Sequence, residues 1–439
     1  MRTSSDFSGK RIAVVGLGPH GEMAADVRFL AKMNALVSIY DLRAEARIQS
    51  VVAYLRTFGL ANHVCGAVPP EDLCDMDLII LSHEYPRDAS FLSEAKKKGI
   101  PIEYPETLLL RSVPPVTVVA VMGASGKSTV ISMLAPMIEA ACDAEGTQSC
   151  FVVDPESPDG IVAHLRRMKS GDIVIMRVSD ATAAEIRALD WSPHIAVFTS
   201  VPAAGIRGGG PFGALEKQTY NNYIIGEDSV IDAVKSSGVQ PRAKMLRTRA
   251  SMVPEEWAVR GRGPHDRLNA ALALQAAKIF KVSDETAEKA IARWKPLKHR
   301  LEPVKKVGGV EFYNDAAALT PDATISGMLS LAKDRDLVVI IGGADGGSDY
   351  RELYAALPRY AHTVISVPGS GTLKERRALR SVDSVATISA PSLEEAVRSA
   401  MDHARKGDKV LFSPGFQAAG IDASRYERGE RFVRAVRAL

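Results

Sequence analysis

The chain has 439 residues, 46% of them hydrophobic and 24% charged, with a formal net charge of only +3. This composition belongs to a globular protein with room for about two or three domains, and it excludes a charged tail, a collagen-like repeat or a nucleic-acid-binding stripe. The four cysteines (Cys65, Cys74, Cys142 and Cys150) lack CxxC spacing, so neither a zinc site nor a disulfide framework is expected. Reduced thiols point to the cytoplasm, and the apolar opening Ile12–Gly16 is too short for a signal peptide or membrane insertion.

The first segment, residues 1–112, opens with the strand Arg11-Ile-Ala-Val-Val and the glycine loop Gly16-Leu-Gly18-Pro-His-Gly21. A helical pattern follows, then the strand Leu36–Tyr40 and the acid Asp41. A GxGxxG loop after a strand, with an acid about 20 positions on, is the pattern that cradles a pyrophosphate and bonds a ribose. Gly16, Gly18, Gly21 and Asp41 are therefore candidate ligand-binding residues. The loop recognises a diphosphate rather than a nicotinamide, so NAD and another diphosphate nucleotide both remain open here. Further strands at Leu78–Ser82 and Gly99–Glu103 continue the alternation of a Rossmann-like domain. His83 and Glu84 follow Ser82 at the strand end where such sheets bind ligands, while His20 lies within the glycine loop itself.

Arg111-Ser-Val-Pro-Pro115 reads as a linker into the second segment, residues 113–297. That segment begins with the apolar run Val116–Met122, the turn Gly123-Ala-Ser125-Gly126, then Lys127-Ser128-Thr129 and a long helical pattern. Strand, glycine loop and helix start together form a phosphate cradle of the P-loop type, with backbone N–H groups on the phosphates, Lys127 as cation and Ser128 as Mg²⁺ ligand. The common spacing places a glycine five residues before Gly126, where this chain has Val121. ATP is the expected nucleotide, with Mg²⁺. Strands are predicted at Asp172–Val178 and His194–Phe198, a glycine-rich loop at Gly205–Gly210, and helices at Leu268–Phe280 and Asp284–Trp294, the second capped by Ser283. The third segment, residues 298–439, carries strands at Leu337–Ile341, Thr363–Val367 and Lys409–Phe412 with helices between them. The predicted fold class is α/β with three domains, Rossmann-like at both ends and ATP-binding in the middle.

These residues resemble the Mur ligase family over nearly the whole chain, most closely its D-glutamate-adding branch. The likeness rests on Gly16–Gly21, the loop Gly123–Thr129, Gly263-Pro-His265-Asp-Arg-Leu-Asn269, His299-Arg300-Leu301-Glu302, Asn314-Asp315, Gly342-Gly343-Ala-Asp345, Ser413-Pro414 and Glu427-Arg428-Gly429. The resemblance implies a UDP-linked substrate on the first domain, ATP on the second and an amino acid on the third, in a monomer. It explains the first glycine loop without NAD. It also implies amide-bond formation, in which a substrate carboxylate takes the γ-phosphate of ATP and an amine displaces the phosphate. Lys127, Ser128, Thr129, Asn269, Arg300 and Asp315 are the implied nucleotide contacts, and Arg300 joins Lys127 as a catalytic cation. Ser413 falls at the amino-acid end.

The departures from the family pattern cluster. The run supplying a Mg²⁺-binding glutamate reads Val178-Ser-Asp180-Ala-Thr-Ala-Ala-Glu185, so Glu185 fits only after a one-residue slip. The metal-binding histidine is replaced in Thr199-Ser-Val-Pro202-Ala-Ala204, and Lys217 stands near the position of the carbamylated lysine. Ala317 and Gly346 stand where lysines serve the amino acid, and Arg207 is a basic residue that could compensate. Two readings follow. The first is an ATP-dependent ligase joining a carboxylate such as UDP-N-acetylmuramoyl-L-alanine to an amino acid such as D-glutamate. The second is a paralogue that binds or hydrolyses ATP as a regulatory or assembly partner without ligation.

Overall fold

Apolar β-branched runs separated by helices satisfy their backbone groups as parallel sheets covered on both faces. The computed structural model describes residues 7–18, 23–83, 85–155, 160–201, 207–259, 264–295, 297–345, 348–417 and 425–439. It divides into two compact units, Met1–Ala258 with Leu268–Arg293, and Val259–Arg267 with Trp294–Leu439.

The first unit contains two parallel sheets. One comprises β1 (Arg11–Val15), β2 (Leu36–Asp41), β3 (Asn62–Cys65), β4 (Leu78–Leu81) and β5 (Ile102–Glu103), in the order β3-β2-β1-β4-β5. Its direction of winding reverses between β1 and β4, which opens a crevice at the carboxyl ends of those two strands. Alternate residues of β1 serve different cores: Ile12 and Val14 pack on one face, Ala13 and Val15 on the other. That double burial is why the strand reads as a continuous apolar run.

The second sheet comprises β6 (Thr117–Met122), β7 (Cys150–Val153), β8 (Ile173–Arg177), β9 (Ile195–Phe198), β10 (Tyr223–Gly226) and β11 (Lys244–Arg247). Its order is β11-β10-β9-β6-β8-β7, all parallel, with β6 central. The predicted helices appear as Pro264–Ile279 and Asp284–Arg293, and the Ser283 hydroxyl accepts the Thr286 N–H as a cap. The expected glycine-rich loop is instead a 3₁₀ helix from Arg207 to Leu215. The two sheets are tied together by Asp26 of the helix Ala24–Lys32, which accepts the N–H groups of Ile161 (3.1 Å) and Ala163 (3.0 Å). Burial pushes this carboxyl up to about 6.

The second unit holds β12 (Glu302–Val307), β13 (Val310–Asn314), β14 (Leu337–Ile341), β15 (Ala361–Ser366), β16 (Ala386–Ser389) and β17 (Lys409–Phe412), ordered β12-β13-β17-β14-β15-β16. Only the β12–β13 pair among them is antiparallel, joined through Gly308 (φ 58°) and Gly309 (φ 89°), the two positive φ values of a type I′ hairpin. Among the described residues no helix is long and apolar enough to cross a membrane.

Candidate active site

The phosphate loop hangs from the carboxyl end of β6 and is shaped by contacts that only glycine permits. Gly123 (φ 119°) and Gly126 (φ 85°) both lie in the left-handed region. A Cβ on Gly123 would meet Thr199 Oγ1 at 2.5 Å, and one on Gly126 would meet Asn269 Oδ1 at 2.8 Å. Val121, where the common spacing has glycine, is fully buried in β6, so the loop closes without a glycine there. Thr199 and Ser200, which follow the neighbouring β9, hold the loop from the side. The Thr199 hydroxyl bonds Met122 O (3.0 Å) and Ser125 O, and Ser200 Oγ accepts the Ala124 N–H at 2.9 Å.

Gly126 caps the helix Lys127–Glu145, whose first N–H groups and positive dipole end open at the loop. The Lys127 ammonium lies over the loop, donating to Gly123 O at 2.5 Å and Ala124 O at 3.4 Å. Ser128 is half-buried in the first helical turn and Thr129 is buried behind it. Asn269, buried on the helix Pro264–Ile279, packs its amide against Gly126. The structure therefore brings Gly123, Ser125, Gly126, Lys127, Ser128, Thr129 and Asn269 into one constellation. Thr199 and Ser200 were legible only as departures from a family motif; their position after the strand next to β6 is the signal that they brace the loop.

The crevice of the first sheet is assembled from equally close contacts. Gly16 (φ 83°) and Gly18 (φ 79°) form the loop after β1, and a Cβ on Gly16 would strike Tyr85 Cε2 at 2.5 Å and Ser82 Oγ at 2.7 Å. Asp41 does not present its carboxylate to a ligand. It is fully buried and accepts the Leu17 N–H (3.0 Å), the Arg43 N–H (2.9 Å), Arg43 Nε (2.9 Å) and Arg43 Nη2 (2.6 Å). Those four bonds occupy its acceptor sites, so Asp41 sets the glycine loop and aims Arg43. On the adjacent strand end His83 Nε2 bonds both oxygens of the buried Glu106, at 2.7 and 2.9 Å.

Two metal-site assignments change. Lys217 lies at the wrong edge of the second sheet: its N–H donates to Ser192 Oγ (3.0 Å) and its ammonium pairs with Asp190 at 2.6 Å. Ser192 leads into the amino end of β9, which runs parallel to β6, whereas the phosphate loop leaves the carboxyl end. At about 3.3 Å per residue the two positions are separated by roughly 20 Å. Lys217 is a half-exposed surface lysine and no metal bridge. Glu185, on the helix Asp180–Ala188, pairs with Arg87 at 2.6 Å instead of facing the loop. It lines a cavity of about 390 Å³ with Arg87, Glu103, Arg111 and Leu189. Ser128, in the first turn, is the side chain that would offer an oxygen to a Mg²⁺ ion carried by a nucleotide's phosphates. Among the described residues no three His, Cys, Asp or Glu side chains converge.

In the second unit Asp315 follows β13 and Ser413 follows β17, two strands paired in parallel. Ser413 Oγ donates to Asp315 Oδ2 at 2.8 Å, and the Leu301 N–H donates to Asp315 Oδ1 at 3.2 Å. Burial raises this carboxyl to about 7 despite those donors and the nearby Arg300 charge. Ser413 is fully buried with its hydroxyl committed, so it supports Asp315 rather than meeting a substrate. Arg300 is half-buried between His299 (φ 62°) and Leu301 (φ 45°), two left-handed residues that kink the chain around it. Ala317 donates its N–H to His299 O, and Lys374, 29 residues beyond Asp345 in the chain, pairs with it at 2.8 Å. Gly21, His20, Glu84, Pro202, Ala204, Gly346 and the side chain of Arg207 lie outside the described residues.

Residues 299–416, which include Arg300, Asp315 and Ser413, match the Mur ligase glutamate ligase domain. The likeness extends across the whole chain: it is 26% identical to the UDP-N-acetylmuramoylalanine–D-glutamate ligase of Roseiflexus sp. (strain RS-1), covering 98% of this chain and 99% of that one. The enzyme of the same name from Desulfosudis oleivorans is 28% identical over 98% of this chain and 96% of its own. The chain is therefore similar to Mur ligases along its whole length, and its residues 299–416 match their glutamate ligase domain. Solved structures agree on the fold. The Thermotoga maritima UDP-N-acetylmuramate–alanine ligase superposes with a TM-score of 0.61 at 17% identity, covering 98% of this chain and 99% of that one. A murein peptide ligase from Psychrobacter arcticus gives 0.60 at 16% identity with the same coverage.

Proposed function

We propose that this Mur-type chain is an ATP-dependent ligase that activates a substrate carboxylate as an acyl phosphate and joins it to an amine. The substrate assigned is UDP-N-acetylmuramoyl-L-alanine or a related UDP-linked acid, with D-glutamate or another amino acid as acceptor. The single observation that carries the reading is the intact phosphate cradle: two left-handed glycines, Lys127, Ser128 and the Asn269 brace around one helix start. Two anions must meet in this reaction, the γ-phosphate and the attacking carboxylate, so fixed positive charge does most of the catalytic work.

The backbone N–H groups of the loop and helix would hold the nucleotide's phosphates, and Lys127 would move from the loop carbonyls onto them. Mg²⁺ bound with the nucleotide supplies further charge neutralisation, and Ser128 is the residue that would hold it. Arg300 and Asp315 are proposed as nucleotide-binding residues of the second unit. Neither Glu185 nor Lys217 enters the scheme, in which Lys127 and Arg300 supply the protein's positive charge. The test is phosphate release from Mg-ATP by the purified protein, with UDP-N-acetylmuramoyl-L-alanine and D-glutamate together and each omitted in turn. Release that depends on the acid and the amine supports ligation; substrate-independent release points to the ATP-hydrolysing alternative.

A further inference from the structure

His83 occupies the first position beyond Ser82 at the carboxyl end of β4, beside the point where the strand order of the first sheet reverses. That reversal is where open parallel sheets bind ligands. Three restraints fix its ring. Nε2 bonds Glu106 Oε1 at 2.7 Å and Oε2 at 2.9 Å, and the Glu106 side chain has no solvent exposure. The ring also stacks nearly flat on Tyr104, with centroids 5.0 Å apart and planes 8° apart, while the Tyr104 hydroxyl donates to Tyr85 O at 3.1 Å. Tyr85 in turn packs on Gly16 of the glycine loop.

These restraints leave Nδ1 without a hydrogen-bond partner among the described residues, on a side chain that is still 31% exposed. A carboxylate accepts on the Nε2 side, so Nε2 carries a proton in either charge state, and the imidazolium alone presents Nδ1–H as a donor. The other charged groups around the ring are Arg177 of β8, paired with Asp154 at 3.2 Å, and, beyond Tyr104, Arg87 with Glu185. Burial pulls the His83 value down, but the Glu106 carboxylate outweighs both burial and the Arg177 charge, so the ring titrates above its ordinary range.

We propose that His83 is a substrate-binding residue that donates from Nδ1–H to an anionic oxygen, phosphate or carboxylate, of the UDP-linked acid, with Glu106 fixing its tautomer and Tyr104 its plane. This rests on the UDP-linked substrate assigned above and adds a residue that the glycine loop alone does not reveal. A histidine serving only as the counter-ion of Glu106 would leave ligand affinity unmoved on substitution.

The test is the affinity of wild type, His83→Gln and Glu106→Gln for two probes, measured by calorimetry between pH 5.5 and 8.5. UDP-N-acetylglucosamine carries the diphosphate without a carboxylate, and UDP-N-acetylmuramoyl-L-alanine carries both. His83→Gln is expected to weaken binding about ten- to hundredfold at pH 6, as loss of a charge-assisted hydrogen bond does, and to flatten the wild-type decline in affinity with rising pH. Weakening toward both probes assigns the diphosphate, and weakening toward the acid alone assigns the carboxylate. Glu106→Gln should shift the pH profile downward with a smaller loss. Wild-type binding that His83→Gln leaves unchanged at every pH overturns the inference while the substrate assignment stands. Failure of the wild type to bind either probe overturns both, and ATP affinity measured on the same sample reports separately on the phosphate loop.

Discussion

Replacing Gly126 by alanine tests the phosphate cradle at its tightest point. The residue sits at φ 85°, and its added Cβ would lie 2.8 Å from Asn269 Oδ1 and 3.3 Å from Thr199 Cβ. Holding an L-residue in the left-handed region costs about 1–2 kcal/mol. For a domain of this size that corresponds to a fall in Tm of roughly 2–8 °C. The contact with Asn269 has a second consequence: either the amide or the loop must give way, and the N–H groups that would face phosphate move with it. ATP affinity, measured by calorimetry or by displacement of a fluorescent nucleotide, should fall at least tenfold, about 1.4 kcal/mol. Gly146→Ala is the control. It lies at the other end of the same helix at φ 68° with nothing within 4 Å of its Cβ, so it carries the backbone strain without the collision. A similar Tm loss with unchanged ATP affinity is expected there. Equal ATP affinity in Gly126→Ala and wild type, both folded, would refute the assignment of the loop.

Further expectations concern residues whose roles the structure moved or sharpened. Lys217→Ala should leave nucleotide turnover within about twofold of wild type and stability within about 0.5 kcal/mol, since it removes one exposed ion pair; a collapse in activity would restore the metal-bridging role. Ser413→Ala removes the donor to the buried Asp315 and should cost on the order of 1–3 kcal/mol in urea unfolding; a change in amino-acid KM with unaltered stability would return Ser413 to the substrate. Arg300→Ala should lower ATP-dependent turnover while leaving the Tm of the nucleotide-free protein nearly unchanged, and a large Tm loss would mark Arg300 as structural. Asp26 and Asp315 have folded values raised by burial to about 6 and about 7, so the fold binds their protons more tightly than the unfolded chain does. Their contribution is therefore lost as pH rises from about 4 to 7, on the order of 3 kcal/mol for Asp26 alone. Tm should be higher at pH 5.5 than at pH 7.5, with a smaller difference in Asp26→Asn; the opposite slope would contradict the burial of these carboxyls.

Much of the α/β architecture was readable because the central strands are buried on both faces. Runs such as Ile12–Val15, Val118–Met122 and Leu337–Ile341 have no alternative reading at their length. Of the strands that escaped, Asn62–Cys65, Cys150–Val153, Lys244–Arg247 and Ala386–Ser389 lie at sheet margins, where one side meets water, whereas Tyr223–Gly226 is interior but only four residues long. The β12–β13 hairpin did leave a signal, the Gly308–Gly309 pair between alternating strands. Within the site, the phosphate loop was legible because its chemistry is contiguous. Glu185 and Lys217 were misplaced because matching along the chain ignores which sheet edge a residue reaches. Lys217 comes just before β10, and residues entering a parallel strand lie at its amino end, so that error was avoidable on topology alone. The His83–Glu106 pair was half legible: His83 stands at a flagged strand end, but its partner is 23 residues away on a helix start that carries no motif.

The most direct test of the central claim is phosphate release from Mg-ATP in the presence of UDP-N-acetylmuramoyl-L-alanine and D-glutamate, with each component omitted in turn and Lys127→Ala as the blank. The Mur-type ligase reading predicts release that requires the UDP-linked acid and is completed by an amine, with none from Lys127→Ala. Release at the same rate without the acid and amine, or turnover surviving in Lys127→Ala, would contradict it.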